Sequence, residues 1–127
     1  MDKNIGVIAT TLLDVLNHLK IYHWQTTSYA RHKASCELIK NMDALIDQII
    51  ETLQGSKNTR LRLFNDTNKI VLENQGDDSI VKMLEQFKYY LINVFPQYFS
   101  NQDTDILNLR DELLGNVNQT LYLFTFH

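Results

Sequence analysis

Apolar side chains recur along this chain at three- and four-residue steps in four separate runs, which is the spacing of helices with one buried face. In the first run, about residues 3–24, Ile5, Ile8, Leu12, Leu16, Leu19 and His23 share one stripe. The second covers about residues 29–54, with Leu38, Met42, Leu45, Ile49 and Leu53 as the core face, widened by Ile39, Ile46 and Ile50. Ser28 is placed to cap its start, and Gly55 to stop it. The third begins after Gly76, where Asp77, Asp78 and Ser79 offer caps, and carries Ile80, Leu84, Phe87, Leu91 and Phe95 until Pro96 kinks or ends it. The fourth begins near Asp103 or Thr104 and carries Ile106, Leu109, Leu113, Val117, Leu121 and Phe124.

Four amphipathic helices point to a four-helix bundle, and the connections choose its topology. The first-to-second and third-to-fourth links are short, so each pair forms an antiparallel hairpin. The middle link, about residues 56–77, is long for a compact domain. It can run the length of a bundle with room for a short helix. That predicts an all-α, ferritin-like bundle with one long crossover between helices 2 and 3, as a single domain over residues 1–127. Leu61, Leu63, Phe64, Ile70, Val71 and Leu72 suggest that part of the crossover packs.

Composition narrows the function classes. The 127 residues are 44% hydrophobic and 21% charged, which suits a folded globular chain. A net charge of −3 offers no global attraction to nucleic acid or to anionic membranes. The ends read MDKNIG and LYLFTFH, without a Lys/Arg-rich tail. A single cysteine, Cys36, excludes an intramolecular disulfide and points to a reducing compartment such as the cytoplasm. No apolar run is expected to reach membrane-spanning length. Residues 5–21 come closest, but Thr10, Thr11, Asp14, Asn17, His18 and Lys20 interrupt them.

The chemistry concentrates between His23 and Glu51, which hold two of the four histidines, the only cysteine and the only tryptophan, Trp24. On a helical wheel His32, Cys36, Asp43, Asp47 and Glu51 share one edge of the second helix. The bland reading is a hydrogen-bonded core histidine and a solvated acidic face paired with Lys40. Yet like charges four residues apart repel mildly, so a positive group is expected opposite. Two imidazoles with two or three carboxylates suit divalent iron, manganese or zinc. His32 and Cys36, one turn apart, would begin a zinc site but leave its other ligands unnamed. A site inside one bundle needs Glu-x-x-His or Glu-x-x-Glu pairs, and Glu37, Glu51, Glu73, Glu85 and Glu112 all lack such partners. A site built from this stretch would lie on the bundle's edge and be completed by a second copy.

These residues resemble the Dps-like miniferritins. In that family a His-Trp pair ends the first helix, and an aromatic loop residue and a second histidine follow. An Asp comes fifteen residues after that histidine and a Glu four further on. His23-Trp24, Tyr29, His32, Asp47 and Glu51 are similar in type and offset, and Gly55 matches a helix-closing glycine. The wording HWQTTSYARHKA also resembles small Dps-like proteins of large DNA viruses, for which host cytoplasm or virion would be the location. The resemblance implies a ferroxidase site shared across a two-fold dimer, with His23 and His32 from one subunit and Asp47 and Glu51 from the other. It also implies a dodecameric cage storing iron, peroxide as oxidant, and Trp24 as a sink for stray oxidising equivalents. Three features depart from the family. Cys36 stands where an Asp ligand is expected, and Glu37 replaces that Asp only if the helix start is shifted. The loop between the histidines is shorter than usual. The basic tail is missing, which argues against direct DNA compaction. The alternative is a ferritin-like structural or interaction protein, in a virus particle for example, that has lost metal chemistry.

Overall fold

The computed structural model describes residues 2–64 and 66–126. Its helices are α1 (Asp2–Gln25), α2 (Tyr29–Lys57), α3 (Asp77–Tyr89) and α4 (Thr104–Leu123). The fold is all-α: a ferritin-like four-helix bundle whose long crossover joins α2 to α3. Around the bundle α1 packs on α2 and α3, and α4 packs on the same two. This leaves α2 and α3 on a diagonal and parallel, an arrangement that requires a crossover.

Each helix reads from its own residues. Ser28 caps α2 as expected, its Oγ accepting the Arg31 N–H at 3.2 Å. Gly55 does not stop it. The helix runs on to Lys57 and ends on Asn58, whose left-handed backbone (φ 52°) turns its N–H onto the Gln54 and Gly55 carbonyls. A mid-helix glycine costs about 1 kcal/mol against alanine, and the asparagine cap offsets that by satisfying those carbonyls. At the start of α3, Ser79 Oγ accepts the Gly76 N–H at 2.8 Å. Before Pro96 the helix loosens into a π turn (Tyr90–Val94) and then a 3₁₀ turn (Phe95–Tyr98). The carbonyl of Leu91, inside the π turn, accepts a hydrogen bond from Arg110 Nη1 of α4 at 2.8 Å.

The core runs the length of the bundle through Ile8, Leu12, Leu19, Leu38, Met42, Ile49, Leu84, Leu91, Phe95, Leu113 and Val117, all essentially inaccessible. Lys3–Gln25 of α1 is long and apolar enough, by length and composition, to cross a bilayer, which corrects the expectation that no run is. Over half of that window is buried within the bundle, and a core helix passes the same test. Its polar interruptions receive the crossover. Asn68 Nδ2 donates to the Gly6 carbonyl at 3.2 Å and to Thr10 Oγ1 at 2.9 Å. The Glu73 N–H donates to His18 Nε2 at 3.1 Å, and the Gln75 N–H to Gln25 Oε1 at 2.8 Å. Gly6 is required where the Arg62 carbonyl passes over α1, because any Cβ there would strike that oxygen. Of the crossover's apolar residues only Leu61 and Ile70 are half-buried, whereas Leu63, Phe64, Val71 and Leu72 stay exposed. No helix forms in the crossover among the described residues.

Candidate functional site

The tight turn between α1 and α2 brings His23 and His32 face to face. Their rings stack with centroids 3.9 Å apart and planes 16° from parallel, and Tyr29 lies beyond His32 at 6.3 Å. Each ring bonds the other residue's backbone: His23 Nδ1 to the His32 carbonyl at 3.0 Å, and His32 Nδ1 to the His23 carbonyl at 2.9 Å. A carbonyl can only accept, so each Nδ1 carries a proton, and the neutral tautomer that fits these bonds has its lone pair on Nε2. Among the described residues neither Nε2 has a partner. Fully buried Ser35 steadies the pair, donating to the His32 carbonyl at 3.0 Å beside His23 Nδ1. Fixing one nitrogen on a carbonyl while the other stays free is how proteins orient metal-binding imidazoles.

The acidic half lies elsewhere. Asp47 is fifteen residues past His32 on the same helix, about 22 Å away, and Glu51 is about 28 Å away. Asp43 and Asp47 rim a groove of about 450 Å3 between α1 and α2, floored by Ala9, Leu13, Ala44, Ile46, Ile50 and Leu61. Glu51 and Glu37 are exposed and Cys36 is half-buried. Among the described residues no three His, Cys, Asp or Glu side chains gather closely enough to hold an ion. Among the described residues His32 and Cys36 therefore gain no further zinc ligand. The expected pairing of the acidic row with Lys40 does not form either: the ion pairs of the described residues involve Asp14, Asp77, Glu85 and Asp111. Trp24 is 72% exposed and lines a cleft with Ile21, Leu72 and Asn74 on the crossover side.

A polar lock beside the histidines escaped sequence reasoning. The hydroxyl of fully buried Tyr22 donates to Asp77 Oδ1 at 2.6 Å, and accepts from Arg31 Nη1 at 3.3 Å and Thr26 Oγ1 at 3.4 Å. Arg31 also reaches the Asp77 carbonyl and lies over the Phe124 ring at 4.9 Å. All four helices are thereby tied at one end. Burial, followed by the bond to the Asp77 carboxylate, raises the Tyr22 phenol above its ordinary value, and Thr26 and Arg31 pull it partly back. His18 was read only as an interruption. It is buried, with Nδ1 at 2.8 Å from the Asp14 carbonyl and 2.9 Å from its carboxylate, while Nε2 holds the crossover. Its one readable signal is the Asp14–His18 spacing of one turn.

The class is thus set by the fold: an all-α ferritin-like bundle, here with a paired-histidine turn. The chain belongs to the family described as "Family of unknown function (DUF5856)", whose model matches residues 23–124. No curated protein and no solved structure matches it.

Proposed function

We propose that this chain is a ferritin-like interaction module that assembles with copies of itself and plays a structural role in a reducing compartment, host cytoplasm or virus particle. The groove between α1 and α2 carries this reading. Leu13 within it and Val7 nearby on α1 are exposed large side chains, while Ala9 and Ile46 of its floor are buried. Apolar patches left open beside a complete core mark contact surfaces. The rim acids Asp43 and Asp47, which form no ion pair among the described residues, would give such a contact its orientation.

The histidine pair favours a second reading, in which assembly completes an inter-subunit metal site. If α2 packed antiparallel on its copy, centred between residues 41 and 42, His32 would face Glu51 of the other chain, and Cys36 would face Asp47. Two imidazole Nε2 atoms with Asp47 and Glu51 form a donor set suited to iron or another divalent cation. Ferrous iron would then be substrate, oxidised by peroxide and stored in a closed cage, as in the Dps-like proteins the sequence resembles.

Native mass spectrometry, with and without ferrous iron added anaerobically, tests both. An oligomer that takes up no iron supports the structural reading. An oligomer that binds iron, and loses it on Asp47→Ala, supports the ferroxidase reading. A monomer at every concentration overturns both.

A further inference from the structure

Residues 69–75 cross the bundle as a strap with one bare edge. The strap is anchored through Asn68 at Thr10 and through Gln75 at Gln25. Fifteen helical residues separate those anchors, about 22 Å. The seven residues from 68 to 75 reach about 23 Å at the strand rise of about 3.3 Å each. The strap can therefore run extended between its anchors, with the Asn68 and Gln25 side chains adding reach at the two ends.

Its alternation agrees with that length. The N–H groups of Glu73 and Gln75, two apart, both turn to α1. Lys69, Ile70, Val71, Glu73 and Gln75 border a cleft of about 410 Å3 toward α3, and Leu72, Glu73 and Asn74 border the Trp24 cleft, so the alternation rests on the two N–H groups. The backbone groups of Ile70, Leu72 and Asn74 then face outward, and among the described residues their N–H groups meet no acceptor. Val71 is 73% exposed and Leu72 64%. An open strand edge with apolar side chains is a template for another strand.

We propose that the strap pairs antiparallel with the strap of a second copy, about a two-fold axis through Val71. The segment itself names this occupant. It reads Lys69-Ile70-Val71-Leu72-Glu73, positive at one end, negative at the other and apolar between. In the register centred on Val71, Lys69 of each copy faces Glu73 of the other, and Ile70 faces Leu72. The parity also fits. Ile70 and Leu72, whose backbone groups point outward, form the hydrogen-bonded pairs. Val71 with Val71 and Lys69 with Glu73 fall at the closer, non-hydrogen-bonded pairs, where Cα atoms approach to about 4.5 Å. A register centred on Leu72 keeps the parity but sets Lys69 against Gln75 and loses both charge pairs. A one-residue slip turns inward-facing groups toward the partner.

This inference rests on the reading that the chain self-associates, and it uses a surface other than the α1–α2 groove. The test is Val71→Cys under mild oxidation, compared with Gln75→Cys and with the wild-type chain carrying Cys36 alone. A disulfide spans Cα separations of roughly 4.4–6.8 Å, so Val71→Cys should give covalent dimers in at least about tenfold excess over both controls. Lys69→Glu and Glu73→Lys should each lower the oligomer fraction in native mass spectra, and mixing the two variants should restore it, because each then faces its opposite. Equal cross-linking in all three chains, or charge reversals that leave assembly unchanged, overturns the proposal. If Leu13→Asp abolishes assembly while the strap variants do not, self-association stands on the groove and only the strap pairing falls.

Discussion

Tyr22 and Tyr90 both bury a phenol hydroxyl, and the bundle treats them oppositely. Tyr22 sits where α1, α2, α3 and α4 meet near the histidine turn, and its hydroxyl has an acceptor and two donors. Tyr90 opens the π turn of α3, and its hydroxyl is buried with no hydrogen-bond partner among the described residues. Burial, followed by neighbouring Tyr98, pushes its phenol far above the ordinary value. Thr11 pulls slightly the other way without forming a hydrogen bond. What holds Tyr90 is its ring, stacked on Phe87 and edge-on to Phe95. One buried phenol is thus fixed by directional polar contacts, the other by aromatic packing that tolerates an orphan hydroxyl. The paired histidines stand beside the first.

Tyr22→Phe would break this contrast most sharply. It strips Asp77, Arg31 and Thr26 of a shared partner, and urea unfolding should show a loss of about 1–3 kcal/mol. Alkali should expose Tyr90 next. Its folded-state phenol titrates above the unfolded one, so the folded chain holds the proton longer. Its contribution is complete below about pH 10, and stability falls above that by up to about 1.4 kcal/mol per pH unit. Unfolding curves at pH 9, 10 and 11 should show the decline, and Tyr90→Phe should lessen it, leaving the part owed to the raised phenol of Tyr22. At neutral pH the same substitution removes a buried group without a partner, so it should leave stability unchanged or raise it by about 0–1 kcal/mol, opposite in sign to Tyr22→Phe. Thr26→Ala should lower stability in urea unfolding least, by about 0.5–1 kcal/mol, because its bond to Tyr22 is long, Arg31 remains, and the Ser28 N–H it also accepts at 3.2 Å lies in the turn.

The helices were legible because one buried stripe per helix leaves a three-to-four-residue rhythm, and the crossover because its length breaks that rhythm. Asn58 replaced Gly55 as the stop because two carbonyl contacts outweighed a weak local preference. The π turn left no trace: Phe87, Leu91 and Phe95 keep helical spacing straight through it. At the site, sequence put His23 and His32 in view but not their exchange of carbonyls, which depends on how tightly the turn at 26–28 closes. Nor could it separate those two from His18. His18 is inside the bundle with both nitrogens engaged, whereas the paired rings each keep one free. Lys40 and the acidic row share an edge of α2 on a wheel, yet form no ion pair, as is common for long exposed side chains.

The anchored strap also bears on how the chain tolerates changes in length. A residue deleted between Lys69 and Gln75 would shift the register of the anchors at Thr10, His18 and Gln25 by about 3.3 Å, so at least one of them would have to let go. Among the described residues, 59–64 form no such row of bonds to α1, so an inserted residue there can loop into solvent at small entropic cost. Length variation among related chains should therefore gather before Asn68, with the distance from Asn68 to Asp77 held constant.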